Sequence, residues 1–338
     1  MNLPFTSNNN IKEIRNSTVA DLNQGQLSSS HPCVFRGLVS HWPIVHAAEQ
    51  STKVAVDYLQ QWANDNPVQA FEASAEVAGR FFYNDNLQGF NFHPKTTTFN
   101  GVMKQLIELK HHQKPPSVYL GSTSINHILP GFRQHNDLEA LQDAPLVSIW
   151  AGNRSRIAAH YDIPDNLACN VAGRRRFTLF PPDQLANLYI GPLDYTPAGQ
   201  SASLVDFQQP DFTKFPQFAE AIKHCFIVEL EPGDAIFIPS MWWHHVEGLT
   251  DFNVLVNYWW RQVPDFMGTP LDALNHAILA IRDLPESQRK VWQDVFQHYV
   301  FAPADNAHIP ASKKGILNPL DERLARQLRS QLLNKLNR

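Results

Sequence analysis

Two short stretches lying far apart in the chain constrain its fold more than any other feature: His160-Tyr161-Asp162 and the run Ile238-Pro239-Ser240-Met241-Trp242-Trp243-His244-His245. Together they supply imidazoles and a carboxylate in an order that suits one metal ion. Two His and one carboxylate hold one face of an octahedral ion and leave other positions open, as a non-haem Fe(II) centre requires. A fold that uses them must bring both stretches together on rigid supports. In an extended segment residues i and i+2 point the same way, so His160 and Asp162 can face one ion while Tyr161 faces away. The flanking runs Pro145-Leu146-Val147-Ser148-Ile149-Trp150 and Asn166-Leu167-Ala168-Cys169-Asn170-Val171 read as strands. Strand parity alone does not choose between His244 and His245 as the third ligand.

A second His-x-Asp triplet, His135-Asn136-Asp137, sits in a polar stretch that reads as a loop leading into a short helix capped by Asn136 or Asp137. It is expected to be structural. Lys and Arg total 28 against 32 Asp and Glu, so charge offers no case for nucleic acid or an anionic membrane as the main partner. The three cysteines, at 33, 169 and 225, have neither CxxC spacing nor an even count, which argues against a disulfide framework or a thiolate zinc site. The first residues lack a basic region followed by an apolar run, and nowhere do about 18 apolar residues occur together. The expectation is a soluble, cytoplasmic protein.

Three regions differ in character. In 1–115, an N-terminal α/β extension on the core, Pro32 to Val39 reads as a strand. Ser51 caps a helix with Val54, Ala55, Tyr58, Leu59 and Trp62 on one face, and Phe99, Val102, Met103, Leu106 and Ile107 mark another. Between them the aromatic and amide-rich segment 80–92 reads as a strand pair packing on the core, with a substrate wall as the alternative. Region 116–262 alternates short strands with Pro, Gly and Asp turns, including Glu231-Pro232-Gly233-Asp234, and reads as a mainly β jelly roll. Its longest interruption, roughly 182 to 224, is Pro- and Gln-rich and is expected to contain short helices. Region 263–338 turns helical. Leu271, Leu274, Ile278 and Ile281 form one stripe, and Val291, Trp292, Val295, Phe296 and Tyr299 a second. Asn318-Pro319 opens a third helix bearing Leu324, Leu328 and Leu332. A terminal helical segment of this kind also suits a homodimer surface.

Period-two alternation in Gly173-Arg174-Arg175-Arg176-Phe177-Thr178-Leu179-Phe180 puts Arg175 on the side of Phe177 and Leu179. A guanidinium on an apolar face is costly unless an anion meets it, and its fork suits a carboxylate. That anion is either an internal acid or a ligand. Asn257 likewise falls with Leu255 and Trp259, and Asn166 and Tyr119 are further polar residues in strand-like runs.

The segments from His160 to Asn166, Gly173 to Pro182, Pro232 to Glu247 and Val256 to Trp259 resemble the JmjC or cupin-8 class of 2-oxoglutarate oxygenases. The small asparaginyl-hydroxylase-like branch is the most similar. Pro32-Cys33-Val34-Phe35-Arg36-Gly37-Leu38 with Trp42-Pro43 resembles that branch's opening strand. The resemblance implies a double-stranded β-helix core and assigns His160, Asp162 and His244 as the iron ligands. It further implies that Tyr119 and Arg175 bind the distal carboxylate of 2-oxoglutarate, that Asn166 and Asn257 lie near the co-substrate, and that Trp259 lies at the substrate side. A protein or peptide substrate and a homodimer through the C-terminal helices follow by the same likeness. Arg175 stands where that branch has a lysine, a departure that bears on the co-substrate and not on the metal. Two other classes are weighed against this one: a catalytically silent module that binds metal and peptide, and a cupin metalloenzyme that does not use 2-oxoglutarate.

Overall fold

β-Branched, aromatic and small residues punctuated by Pro, Gly and Asp produce fourteen strands among the described residues of the computed structural model, which are 3–22, 24–139, 141, 145–197, 199–303 and 305–337. In chain order these are β1 (Lys12–Ile14), β2 (Cys33–Phe35), β3 (Pro67–Ala73), β4 (Arg80–Phe81), β5 (Phe92–Thr98), β6 (Ser117–Ser124) and β7 (Leu146–Gly152). There follow β8 (Ser155–His160), β9 (Asp165–Ala172), β10 (Arg175–Phe180), β11 (Phe226–Leu230), β12 (Ala235–Ile238), β13 (Trp243–Gly248) and β14 (Asn253–Trp260). They make a nine-stranded sheet, β1-β2-β12-β9-β14-β7-β6-β3-β5, and a five-stranded sheet, β11-β10-β13-β8-β4.

From β7 to β14 the chain builds a jelly roll. β7, β9, β12 and β14 belong to the large sheet and β8, β10, β11 and β13 to the small one, so every link except β10–β11 crosses between sheets. The β10–β11 link carries the long interruption, with a 3-10 turn at Pro182–Gln184 and a helix at Phe218–Lys223. The turn Glu231–Asp234 carries the chain from β11 in one sheet to β12 in the other. Asp234 accepts from the Glu231 and Gly37 backbone N–H groups at 3.1 and 2.9 Å and from Arg36 Nη1 at 2.7 Å. Arg36 also donates to Glu13 at 2.6 Å, which helps hold the Glu13 carboxyl below its ordinary range. These charge-assisted bonds fasten the turn to the first two strands. The N-terminal strands join both sheets: in the large one β2 pairs with β12, and β3 with β5 and β6, while β4 pairs with β8 in the small one.

Alternation then sorts side chains between layers. Ala168, Phe177, Leu179, Ile236, Ile238, Val246 and Leu255 fill the space between the sheets. Leu167, Cys169, Phe237, Val254, Val256 and Tyr258 point to the other face of the large sheet, against the helices Pro43–Gln50, Thr52–Gln60 and Phe99–Leu109. The Cys33, Cys169 and Cys225 thiols are free and buried. Ser51 does cap the helix Thr52–Gln60, its side chain accepting from Val54 N at 3.2 Å. That helix buries Ala55, Val56 and Leu59, while Val54 is exposed: a residue in the first turn, three after the cap, faces away from the sheet.

One further expectation changes. Asn136 caps no helix of its own. It is buried, accepts from Ile44 N at 3.1 Å in the first turn of Pro43–Gln50, and donates to Tyr58 Oη at 2.8 Å. The helix expected beyond it would run into residues 140 and 142–144, outside the described residues. The outer face of β10 is also buried, so Arg176 is enclosed like Arg175, but paired to Glu229 at 2.8 Å and Glu247 at 3.3 Å.

The chain divides into two compact units, Met1–Arg261 and Gln262–Arg338. The second contains helices at Pro270–Ala280, Glu286–Phe296 and Glu322–Leu336, with a π turn at Gln297–Phe301. The last helix starts after Asp321, not at Asn318-Pro319, because the Asp321 carboxylate accepts from Leu324 N at 2.6 Å while Asn318 ends a 3-10 turn in extended geometry. Among its described hydrophobic residues only Leu324 and Ala325 are buried; Val291, Trp292, Tyr299 and Leu332 of the expected stripes are exposed. No helix among the described residues is long and apolar enough to cross a membrane.

Gly173 opens β10 with φ +72°, and a Cβ there would collide with the Phe252 carbonyl, Thr250 Oγ1 and Asn253 Oδ1. Gly199 has φ +83° with open space around it. Gly173→Ala is therefore expected to lower unfolding free energy by about 2–4 kcal/mol in urea titrations, and Gly199→Ala by only about 1 kcal/mol.

Candidate metal centre

His160 ends β8, Asp162 follows it on the link to β9, and His244 is the second residue of β13. His160 and His244 are direct cross-strand partners, and their ring centroids are 4.4 Å apart. The register slips between His244 and Val246, so that Ala158 and Ala159 of β8 stand opposite the single residue His245. This bulge resets the parity of β8 and lets both Ile157 and His160 face the space between the sheets. His245 points to the other side, where its ring packs on Phe207 at 4.6 Å. The structure thereby separates the two adjacent histidines, which sequence parity left unresolved.

One ligand atom from each of His160, Asp162 and His244 lies within 4.8 Å of the others. Among the described residues this is the one His, Cys, Asp and Glu grouping able to hold an ion. Nδ1 of each ring lies 2.9 Å from a backbone carbonyl two residues earlier, Ala158 O for His160 and Trp242 O for His244. A carbonyl only accepts, so both Nδ1 atoms carry the proton and both Nε2 lone pairs are left for a metal. Burial, then the neighbouring His244, lowers His160 to about 4, keeping it neutral at pH 7 as ligation requires. Burial raises the Asp162 carboxyl, but the nearby His244, whose Nε2 is 3.6 Å from Oδ2, together with His160 and Asn166, overcomes this and holds it at about 2. Two imidazoles and one carboxylate are the donor set of an open facial triad, and they fit Fe(II).

These groups line a cavity of about 650 Å³ between the sheets. All eight residues singled out from the sequence line it: His160, Asp162, His244, Tyr119, Asn166, Arg175, Asn257 and Trp259. Asn257 Nδ2 donates to Asn166 Oδ1 at 2.6 Å, and Asn166 Nδ2 donates to Asp162 Oδ2 at 3.4 Å, a chain of amides that ends on the carboxylate ligand. Arg175 is 2 % exposed and its Nε has no hydrogen-bond partner. No ion pair reaches it among the described residues. Burial lowers its pKa, and the one charge interaction that opposes this comes from Tyr119. Burial in turn raises the Tyr119 hydroxyl above its ordinary range. Trp259 meets Trp150 edge to face at 5.8 Å.

Several wall residues were not singled out. Phe81 and Phe92 of the aromatic segment pack on the core and line the cavity, but the segment is not a strand pair: Arg80–Phe81 pairs with β8 in the small sheet, Phe92 opens β5 in the large one, and a single Tyr83–Phe90 bridge joins the two ends. Trp150 shares the face of Ser148 and could have been read from β7 parity. Gln69, Ser122 and Gln200 reach the cavity from a β3 end, the bulged part of β6 and the long β10–β11 link. No local pattern marks them. The other triplet stays apart: His135 lies on Trp62, and Asp137 accepts from Arg133 at 2.9 Å and Tyr258 at 2.8 Å.

Residues 20–266 match the family model described as a Cupin-like domain. The chain is 33% identical over 273 residues to a chicken (Gallus gallus) protein named tRNA wybutosine-synthesizing protein 5, covering 71% of this chain and 80% of that one. It is 27% identical over 277 residues to the Arabidopsis thaliana protein named lysine-specific demethylase JMJ31, covering 74% of this chain but only 50% of that longer one. A rat (Rattus norvegicus) HSPB1-associated protein 1 is 32% identical over 137 residues, 39% of this chain and 27% of its own length. With a jelly roll that presents a His-Asp-His set between its sheets, the chain belongs to the cupin-like, JmjC-type family.

Proposed function

We propose that this chain is an Fe(II)- and 2-oxoglutarate-dependent oxygenase that hydroxylates an uncharged group on a protein or peptide. The observation that carries the reading is Arg175, a buried guanidinium that no acid among the described residues neutralises, in the same cavity as an open metal set. Burying an unpaired cation is costly, so the site suits an anion that arrives with the ligand. A catalytically silent module or a cupin enzyme with no acidic co-substrate gives that cation no purpose.

Bound iron supplies the oxygen activation that couples decarboxylation of 2-oxoglutarate to insertion of one oxygen atom into a C–H bond, yielding succinate, CO2 and the hydroxylated product. The residues of this chain do the rest. Nε2 of His160 and His244 and the Asp162 carboxylate would hold the ion. Arg175, with the Tyr119 hydroxyl, would receive the distal carboxylate and so fix which end of the co-substrate reaches the metal. Asn166 and Asn257 hold Asp162 in orientation. Phe71, Phe81, Phe92, Trp150 and Trp259 exclude water from the reacting region.

With Asp162 committed to the metal and Arg175 to the co-substrate, the remaining lining is aromatic, aliphatic, amide and hydroxyl. That supports hydroxylation of a neutral group over removal of a methyl from a charged amine. A tRNA base is the second reading, favoured by the name of the chicken relative. The apolar residues exposed on the C-terminal helices, Val291, Trp292 and Leu332 among them, support a second copy of this chain as a partner.

The test is succinate release from labelled 2-oxoglutarate with Fe(II), with and without a peptide pool or bulk tRNA. Wild type should release succinate. Asp162→Ala should abolish release, His135→Ala should leave it unchanged, and Arg175→Met should raise the KM for 2-oxoglutarate roughly 30-fold or more, as loss of a charged hydrogen-bonding partner predicts. No release by wild type, or an unchanged KM in Arg175→Met, contradicts the proposal. In sedimentation equilibrium a dimer is expected, and Trp292→Glu should shift it to monomer; a wild-type monomer at all concentrations rules out the homodimer.

A further inference from the structure

We infer that Ser240 and Asp165 are positioning residues that clasp together the two sheet-to-sheet links carrying the metal set. This rests on the metal-centre reading above. Residues 161–164 lead from β8 in the small sheet to β9 in the large one, and residues 239–242 lead from β12 in the large sheet to β13 in the small one. One link carries Asp162 and the other delivers His244. Neither β8–β13 pairing nor β9–β12 pairing spans the gap between them: the former ends at His160–His244 and the latter at Asn166–Ile238.

Three hydrogen bonds close that gap. Ser240 N donates to Asp165 Oδ1 at 2.9 Å, Ser240 Oγ donates to Ile163 O at 2.6 Å, and Met241 N donates to Asp162 O at 2.9 Å. The last bond lands on the backbone of the carboxylate ligand itself. Asp165 is 6 % exposed, so its acceptor oxygen is fixed inside the structure and not at a mobile surface. Met241 has φ +67°, a left-handed conformation that a side chain rarely adopts. Such a residue persists where its surroundings over-determine it, and here its N–H is held by one link while its neighbour Ser240 is held at two points.

The mechanical consequence concerns the spacing between Asp162 and His244. Asp162 sits on one link and His244 just beyond the end of the other, and the clasp sets the distance between their backbones before any ion arrives. His160 and His244 need no such device, because the β8–β13 pairing already places them opposite one another. The clasp therefore controls how well the carboxylate, specifically, is offered to the metal.

Cobalt(II) titration of the full chain, read by ligand-field absorption and by calorimetry, tests this with urea denaturation of the metal-free protein alongside. Ser240→Ala should weaken Co(II) binding about tenfold and change the absorption envelope, as loss of outer-shell support does. The metal-free urea midpoint should stay near wild type, and Ser240→Thr should restore both affinity and spectrum. Asp165→Ala, which removes the other half of the clasp, should weaken Co(II) at least as much. Unchanged affinity and spectrum in both variants, or a loss of affinity matched by an equal loss of metal-free stability, overturns the inference. Failure of the wild-type protein to bind Co(II) overturns the metal centre itself, a distinct result from wild-type binding with unaffected variants.

Discussion

The pairing of β8 with β13 is the interaction on which the rest of the site depends. It sets His160 opposite His244 at the end of the small sheet, and the bulge at Ala158–Ala159 turns both rings into the space between the sheets. Each ring is then locked by its own backbone, Nδ1 to the carbonyl two residues back. That arrangement has a chemical result: with both Nδ1 atoms donating to the backbone, it is Nε2 of each ring that is turned towards the metal position. Placing Asp162 two residues past the end of the same strand adds the charge that a divalent ion needs, at a position where burial by itself raises the carboxyl pKa and the neighbouring His244, His160 and Asn166 reverse that.

The cavity is electrically sparse. Beyond the imidazoles, its formally charged side chains are Asp162 and Arg175, one of each sign, on a lining otherwise neutral. Arg176, one residue on, shows what the fold does with an arginine that needs only structural neutralisation: it meets Glu229 and Glu247 on the opposite face of β10. Two adjacent buried arginines are treated differently, one paired to two acids and the other facing the cavity with no ion pair among the described residues. The amide chain from Asn257 through Asn166 to Asp162 then links β14 and β9 to the carboxylate of the metal set.

Much of this was legible from the sequence, where two-residue periodicity acts locally. The faces of β9, β10 and β14 follow from alternation, which put Arg175 with Phe177 and Asn257 with Leu255. The Ser51 cap and the Glu231–Asp234 turn follow from side-chain chemistry that needs no tertiary context. Parity failed where the register slips: nothing in Ser155-Arg156-Ile157-Ala158-Ala159-His160 announces a bulge, since it arises from pairing with β13. Single-strand reasoning also could not tell that the outer face of β10 would be covered, because the cover comes from Phe207 and Phe218 in the long β10–β11 link. Asn318 lost to Asp321 as a helix cap because two good capping residues lay three apart, and Asn318 is taken up as the extended end of the preceding 3-10 turn while the Asp321 carboxylate accepts from Leu324 N. The polar rim at Gln69, Ser122 and Gln200 is assembled from three distant segments and has no signature in any one of them.

The most direct measurement is a crystal structure of the protein grown without oxygen in the presence of Mn(II) and 2-oxoglutarate, with the ion located by its anomalous scattering. The metal-centre reading predicts one strong peak bounded by Nε2 of His160, Nε2 of His244 and the Asp162 carboxylate, with the far carboxylate of 2-oxoglutarate on the Arg175 guanidinium. A peak elsewhere, or a co-substrate carboxylate that leaves Arg175 untouched, would contradict it.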